Sequence, residues 1–266
     1  MVHVLDWSAI SAVLPHIDCA DAMRAAFRSY SRGHAVIPQL GELNFSQPPG
    51  DGHIKYRYLQ AGVNDVVKIA SVFYENPDKG LPSSQVVMLL FSHTTGQLGC
   101  RLCDDGRLTD ERTGAAGAVV AECMPPSHVK AVVILGAGIQ ARMQLKYLRT
   151  AIPCRELNVW SRHDTRQRTF ANEARDNGWT VHEAPSVEAV VRASNFIVTT
   201  TPAHSPLIKS AWVSKGTHMT AFGADPPEKQ ELEESLIQKA DLVVVDSVSQ
   251  RRQRGEVHHA LKRNLF

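Results

Sequence analysis

An apolar run that ends in a glycine-rich turn constrains the fold more than any other feature of this chain. Residues 131–135 (AVVIL) are apolar throughout, which is typical of a strand buried on both faces. Gly136 and Gly138 follow, Ala141 occupies the third small position, and an amphipathic helix begins within this stretch. A strand, a tight turn and a helix N-terminus direct backbone N–H groups and the positive end of the helix dipole at a pyrophosphate. The stretch therefore predicts a dinucleotide-binding turn, and the plainer alternative is a structural turn.

The chain from residue 129 onward alternates strands with helices. Apolar runs predict strands at 131–135, 157–160, 195–200, 218–223 and 242–247. Helical spacing predicts helices at 139–150, 164–177, 187–193 and 231–239. Parallel strands need crossovers of about a dozen residues or more, and these intervals supply them. We expect a Rossmann-type doubly wound parallel sheet, the dinucleotide-binding domain, at residues 129–256 and a short C-terminal tail at 257–266.

The first half of the chain has a different pattern. Residues 18–32 carry apolar and small residues at helical spacing after Asp18, a suitable N-cap. Short runs then follow (HIKYRYL, VVKIASVFY, VVMLLFS and GQLGCRLC), separated by turn-rich segments. A further helix, ERTGAAGAVVAECM, stops at Pro125. The pattern predicts a smaller, mainly antiparallel α+β domain at residues 1–128, so the fold class is α/β.

Composition excludes several classes of function. A formal net charge of +2 is too mild to favour nucleic acid, and the cluster of Arg251, Arg252 and Arg254 is interpreted as a solvated face. No apolar stretch reaches the ~20 residues that span a membrane, and no signal peptide is evident. Cys100 and Cys103 form a lone C-x-x-C, which does not favour a metal or redox site. We expect a cytoplasmic protein that binds no nucleic acid, membrane or metal.

The end of the second predicted parallel strand bears on cofactor choice. NAD-specific folds place a carboxylate there, roughly 20 residues past the glycine turn, to bind the ribose 2′-hydroxyl. Here Ser161 and Arg162 follow the strand, and no carboxylate precedes Asp164. Because arginine forks onto phosphate and serine donates to it, the pair favours NADP(H), with NAD(H) as the second option. The alternative is that Arg162 is only a surface residue.

One predicted strand carries three basic groups on one face. In HIKYRYL, His53, Lys55 and Arg57 alternate with apolar and aromatic residues, so they share a face at strand spacing. Such a face could guide an anionic substrate, or it could be the solvated side of a half-exposed sheet. The spacing alone leaves both interpretations open.

Several blocks of the sequence resemble the ornithine cyclodeaminase/μ-crystallin family. They occur in the family's order over roughly residues 38–260, and together they are more specific than the glycine turn. The blocks are VVKIASVFYENPDKGLPSSQVVMLLFSHTTGQLGCRLCDDGRLTDERTGAAGA, GAGIQA, TTTPAHSPL, GTHMTAFGADPPEKQEL and DS…GE. Family members include cyclodeaminases, ketimine and Δ1-pyrroline-2-carboxylate reductases, alanine dehydrogenases and a non-enzymatic hormone binder. The resemblance implies a substrate-binding and dimerisation domain before the Rossmann domain, and hence a homodimer.

The resemblance also implies roles for individual residues. Lys68 matches the lysine that faces the substrate beside the nicotinamide, and Arg112 matches the arginine that binds the substrate carboxylate. Asp225 matches the carboxylate near the substrate nitrogen. Lys55 lies where the family contacts substrate and is expected to bind the carboxylate too, with Arg57 as a further option. The residues expected to contact the cofactor are Gly136, Gly138, Ile139, Gln140, Ala141, Ser161, Arg162, Thr200 and Thr201.

The reaction that the resemblance implies is NAD(P)H-dependent reduction of a small α-imino acid, such as Δ1-pyrroline-2-carboxylate, to an L-amino acid. One alternative is ornithine cyclodeaminase, which converts ornithine to proline and ammonia on one resident NAD. Another is a truncated, non-catalytic NADP-binding paralogue, because the chain stops soon after Gly255 and Glu256.

Two smaller departures from the family pattern affect these expectations. Residues 37–40 (IPQL) lack the arginine that many members carry after the first strand as part of the carboxylate site. We therefore expect Lys55 to bind the carboxylate in its place, and the substrate acid to be smaller or differently placed. Gly114 replaces an alanine in the helix that carries Arg112, which costs some helix stability.

Overall fold

The computed structural model describes residues 1–73 and 75–265, which form two compact units, Met1–Arg112 and Thr113–Phe266. The units divide inside a helix, Arg107–Cys123, rather than at the boundary of 128 and 129 that the sequence suggests. Tyr74, at the end of the predicted strand VVKIASVFY, and Phe266, at the end of the predicted tail, lie outside the described residues.

The N-terminal unit is a seven-stranded sheet with two helices. Its strand order is β1-β7-β6-β5-β4-β2, with β3 paired to β4, and all neighbours are antiparallel except β1 and β7. Asp6 and Asp18 cap the two helices by accepting from backbone N–H groups three residues on. The elements are β1 His3–Asp6, α1 Trp7–Val13, α2 Cys19–Ser31, β2 Ala35–Val36, β3 Gly41–Ser46, β4 Pro49–Leu59, β5 Asn64–Phe73, β6 Ser84–Ser92 and β7 Leu98–Cys103.

Strand register separates this sheet into a basic and an apolar face. Lys55 on β4 lies directly opposite Lys68 on β5, and Ile54 lies opposite Ile69 on the other face. Side chains alternate between faces along a strand, so the two lysines share one surface. The opposite surface exposes large apolar side chains: Leu43, Phe45, Ile54, Tyr56 and Ile69.

The C-terminal unit is a doubly wound parallel sheet, as the sequence predicts. Its order is β10-β9-β8-β11-β13, and every pairing is parallel. A small parallel pair, β12 and β14, lies outside this sheet. The elements are α3 Arg107–Cys123, β8 Val132–Leu135, α4 Ile139–Ala151, β9 Glu156–Trp160, α5 Asp164–Asp176, β10 Thr180–Glu183, α6 Val187–Ala193, β11 Phe196–Thr199, β12 His204–Ile208, β13 His218–Ala221, β14 Gln230–Leu232, α7 Glu234–Lys239, α8 Val248–Arg251 and α9 Glu256–Lys262.

Apolar clusters cover both faces of the parallel sheet. Alternate residues of β8, Val132 and Ile134, pack in one cluster with α4 and α5. The intervening residues, Val133 and Leu135, pack in a second cluster with α6. A strand buried on both faces reads as a continuous apolar run, which is why β8 was recognisable from its sequence.

One strand prediction for this unit was wrong, and one strand was missed. Residues 242–247 (LVVVDS) do not form a strand, and Leu242 and Val244 are exposed. An apolar run becomes a strand only when a neighbouring strand accepts its hydrogen bonds, and this segment has no ladder partner among the described residues. The fifth strand of the sheet is instead β10, Thr180–Glu183. Most of its residues are exposed, so its sequence lacks the apolar run that marks a buried strand.

The described residues contain no helix that is long and apolar enough to cross a membrane. Within the same ranges, no three acidic, histidine or cysteine side chains are grouped so that they could hold a metal ion.

Candidate functional site

The glycine turn after β8 has the shape that the sequence suggests. Gly136 has φ +111°, in the region that favours glycine, and its N–H donates to Trp160 O at 2.9 Å. A Cβ on Gly136 would lie 2.6 Å from Thr200 Oγ1, so no side chain fits there. The turn therefore brings the end of β8 into contact with the segment that follows β11.

Gly138 leaves the helix N-terminus open. It is the N-cap of α4, with φ −90°, and no side chain caps the helix there. A Cβ on Gly138 would find no atom within 4 Å among the described residues, so open space lies above the first turn. Ala141 is fully buried against the core, whereas Ile139 is 62% exposed and Gln140 is half-buried. Backbone amides beside open space at a helix N-terminus fit a pyrophosphate, so these residues could hold a dinucleotide.

Thr200 and Thr201 extend this surface. Thr200 donates from its backbone N and its Oγ1 to Leu135 O, at 2.9 and 3.0 Å, which fixes it beside the glycine turn. Thr201 donates from its backbone N and its Oγ1 to the buried carboxylate of Glu231, at 2.6 and 2.7 Å. The two threonines that the sequence predicts as cofactor contacts are thus rigidly held next to the turn.

An open pocket lies where β9 ends. Ser161 lines it, and its N–H donates to Gln167 Oε1 at 2.7 Å. Arg168 also lines the pocket, together with the carboxylates of Asp164 and Glu183, while Arg162 is exposed on the same turn. Arg168 lies in α5, and only the fold shows that it reaches the end of β9.

Cationic groups cluster in the N-terminal unit. Lys68 Nζ donates to Thr109 Oγ1 at 2.5 Å. Burial, followed by the positive charges of Arg112, Lys55 and Arg57, lowers the pKa of Lys68 from 10.5 to about 8, and the negative charge of Asp104 opposes this shift. We call Lys55, Lys68 and Arg112 the cationic cluster. The structure places these three residues near one another.

Like charges directly opposite each other on a sheet are unfavourable unless an anion offsets them. The buried Asp104 supplies one negative charge, and its Oδ2 accepts from Leu108 N at 2.8 Å at the start of α3. Sequence reasoning missed Asp104, although its place just before a helix is a capping signal. The charge of Asp104 therefore partly offsets the effect of the neighbouring cations on Lys68.

Asp225 follows β13 in the C-terminal unit, and its carboxylate is half-exposed. Arg251 Nη1 lies 3.5 Å from Asp225 Oδ1. Arg251 also donates from Nε to Asp246 Oδ1 at 2.8 Å and from Nη2 to Asp246 Oδ2 at 3.2 Å. The interpretation of Arg251 as part of a solvated face was wrong, because its side chain is only 22% exposed and joins two carboxylates. The sequence separation of Asp225 and Arg251 concealed this contact.

A parallel sheet with a glycine turn and an open helix N-terminus defines the C-terminal unit as an α/β unit of the Rossmann type. The chain belongs to the ornithine cyclodeaminase/mu-crystallin family, whose model matches residues 3–266. Similar proteins include an alanine dehydrogenase of Archaeoglobus fulgidus and an iminosuccinate reductase of Paracoccus denitrificans.

Three relatives illustrate the similarity. An uncharacterized cyclodeaminase of Sinorhizobium fredii is 34% identical over 94% of this chain and 76% of the relative. The structure of an archaeal alanine dehydrogenase dimer with bound NAD has a TM-score of 0.91 at 30% identity, over 100% of this chain and 80% of the other. The structure of Thermococcus litoralis Δ1-pyrroline-2-carboxylate reductase, in complex with NADH and L-proline, has a TM-score of 0.89 at 25% identity, over 100% and 82%.

Proposed function

We propose that this chain is an NAD(P)H-dependent reductase that converts a small α-imino acid into the corresponding L-amino acid. The observation that carries the proposal is the cationic cluster, in which Lys55 and Lys68 oppose each other across two strands and Arg112 adds a third charge. Such a cluster binds a carboxylate, and the C-terminal unit has the turn and helix that bind a dinucleotide. Reduction of an imino acid needs both.

The cationic cluster binds and orients the substrate carboxylate. Arg112 is suited to a bidentate contact because its planar fork matches a carboxylate. Lys68 is held by Thr109, so its Nζ is fixed before the substrate arrives. A bound substrate carboxylate offsets the repulsion between Lys68 and its cationic neighbours. The main contribution of the cationic cluster is to orient the substrate.

Asp225 has the role of holding a proton at the imine nitrogen. A protonated imine is an iminium, which accepts hydride at carbon more readily than the neutral imine. Arg251 lies beside Asp225 and positions its carboxylate. The nicotinamide, when bound, supplies the hydride, and the residues of the chain bind, orient and protonate.

The proposed cofactor range is NAD(H) together with NADP(H). The similar structures contain NAD and NADH, and the comparisons give no support to a preference for NADP(H). The Ser161–Arg162 turn and Arg168 could still accept a 2′-phosphate, whereas Glu183 in the same pocket disfavours one. The ratio of kcat/KM for NADPH and NADH measures the balance.

We also propose that the chain forms a homodimer through the apolar face of its N-terminal sheet. Leu43, Phe45, Ile54, Tyr56 and Ile69 share this exposed face, and a contiguous exposed apolar patch of this kind marks an interaction site. The similar alanine dehydrogenase is a dimer. Light scattering after size-exclusion chromatography should give twice the chain mass, and Ile69→Glu should give the mass of one chain.

The experiment that tests the function is oxidation of NADH and of NADPH on addition of Δ1-pyrroline-2-carboxylate or Δ1-piperideine-2-carboxylate. Turnover with either cofactor supports the reductase. An ornithine cyclodeaminase remains the second candidate, since a relative at 34% identity carries the name cyclodeaminase. Release of ammonia from ornithine, without imine reduction, would favour that candidate and contradict the reductase. Absence of both activities would favour a non-catalytic paralogue.

A further inference from the structure

A fully buried carboxylate near the carboxyl ends of β11 and β13 has no role in the chemistry described so far. Glu231, on β14, is 0% exposed. Its Oε2 accepts from Thr199 Oγ1 at 2.6 Å and from Gly223 N at 2.8 Å. Its Oε1 accepts from Thr201 N at 2.6 Å and from Thr201 Oγ1 at 2.7 Å. Four donors from two other segments thus converge on one side chain.

The two segments are those that build the cofactor side of the site. Thr199 is the last residue of β11, and Thr201 lies in the loop that follows it. Gly223 lies just after β13, two residues before Asp225. β11 and β13 are parallel neighbours, so their carboxyl ends meet at the same edge of the sheet. In open α/β sheets, ligands bind at that edge.

The chain is closely packed around the hydrogen bonds of Glu231. A Cβ on Gly223 would collide with Thr201 O and would lie 2.6 Å from Glu231 Cδ. On the other side, Thr200 Oγ1 fills the space where Gly136 lacks a Cβ. A continuous set of contacts therefore runs from the glycine turn through Thr200 and Thr201 to Glu231, and then to the residue that leads into Asp225.

We propose that Glu231 is a positioning residue, which fixes the loop of Thr200 and Thr201 against the glycine turn and fixes the segment that carries Asp225. The proposal rests on the proposed function, because it assigns these two segments to the cofactor and to Asp225. Glu231 touches neither substrate nor cofactor. It acts through the two segments that its carboxylate joins.

The donors explain why a carboxylate is needed rather than an amide. Two of the four donors are backbone N–H groups, which cannot rotate to become acceptors. Each faces a different oxygen of Glu231. A glutamine at this position would turn its NH2 group toward one of them and leave that N–H unsatisfied. Burial raises the pKa of Glu231, and the four hydrogen bonds counteract that effect.

The same strand offers a matched control. Glu256, at the start of α9, accepts from Glu231 N at 2.8 Å through Oε1 and from Leu232 N at 3.1 Å through Oε2. Glu256→Gln therefore creates the same chemical conflict, an amide facing a backbone N–H, at the same strand. Glu256 makes neither of the contacts that hold the two loops, so this variant measures the cost of a merely structural defect.

The experiment compares Glu231→Gln with Glu256→Gln. We expect both variants to lower the thermal midpoint. Only Glu231→Gln should weaken NADH binding, followed by fluorescence titration, by tenfold or more and lower kcat by about thirtyfold or more. The KM of the imino acid should change by less than about twofold in both, because the cationic cluster lies in the N-terminal unit. Equal effects of the two variants on NADH binding and on kcat would overturn the proposal.

A second pair of variants keeps the test decisive if Glu231→Gln does not fold. Thr199→Val removes one hydroxyl donor to Glu231 without changing volume, and Thr169→Val removes an exposed hydroxyl that donates to Thr165 O on α5. We expect Thr199→Val to lower kcat about threefold or more and Thr169→Val to leave it unchanged. Wild-type protein that bound neither NADH nor NADPH would instead refute the proposed function, whereas intact wild-type binding with unaffected Thr199→Val would refute the positioning role alone.

Discussion

Replacement of Lys55 by methionine tests whether Lys55 lowers the stability of the fold and at the same time supports catalysis. Methionine keeps the aliphatic length of lysine and removes its charge. Lys55 lies directly opposite Lys68, whose pKa is lowered to about 8 from 10.5 by burial first and then by the charges of Arg112 and Lys55. That shift corresponds to about 3 kcal/mol against the charged form of Lys68. Because burial is the largest cause, we assign on the order of 0.5–1 kcal/mol to Lys55.

The sign of the effect follows from linkage. At pH 7, Lys68 is charged in both the folded and the unfolded chain, so the whole penalty applies, and it is relieved as the pH rises from about 8 toward 10.5. Lys55→Met should therefore raise the free energy of unfolding at pH 7 by about 0.5–1 kcal/mol. The gain should vanish near the upper end of that range, where Lys68 is neutral in both states.

The same variant should impair catalysis. Loss of one charge-assisted contact to the substrate carboxylate costs about 1.5–3 kcal/mol, or roughly 10- to 100-fold in kcat/KM. Urea unfolding and steady-state kinetics on one preparation measure both effects. Arg101→Met, on β7 and outside the cationic cluster, is the control and should leave kcat/KM unchanged. A Lys55→Met protein that is less stable than the wild type but equally active would contradict both roles of Lys55.

Three further predictions concern the C-terminal unit. Asp225→Asn should abolish turnover and leave the Kd of NADH within about twofold, as fluorescence titration can show; lost NADH binding would contradict its assignment to the substrate. Gly138→Val should weaken NADH binding about thirtyfold or more with little change in thermal midpoint, because the new side chain enters open space rather than protein; unchanged affinity would remove the pyrophosphate from this turn. Burial raises the pKa of Glu256 to about 7 from 4.5, so the stability of the wild type should fall as pH rises through this interval, and Glu256→Gln should flatten that slope in thermal melts. If the pH dependence of stability were the same in Glu256→Gln as in the wild type, a group other than Glu256 would cause it.

Local signals in the sequence predicted the parts of the structure that depend on neighbouring residues. The strand, glycine turn and helix around Gly136 are one continuous segment, and burial on both faces gives β8 an unmistakable apolar run. The alternation in HIKYRYL likewise placed Lys55 on the basic face. Lys68 and Arg112 were named through the family resemblance, and their proximity depends on the packing of β5 and α3 rather than on a local signal.

Contacts that depend on tertiary structure could not be predicted in this way. The segment 242–247 has the composition of a strand but no partner, and composition does not reveal a missing partner. Arg251 belongs to a basic run in the sequence, yet it contacts Asp225 across the fold. Glu231 has no sequence signal of its own, because its four donors come from two other segments.

In the proposed reaction, hydride passes to the carbon of an α-imino acid. The decisive experiment is incubation with Δ1-pyrroline-2-carboxylate and NADH deuterated at the transferred position of C4, followed by mass spectrometry of the product. We expect proline that carries one deuterium at Cα. Proline without deuterium, or no proline at all from a protein that binds NADH, would contradict it.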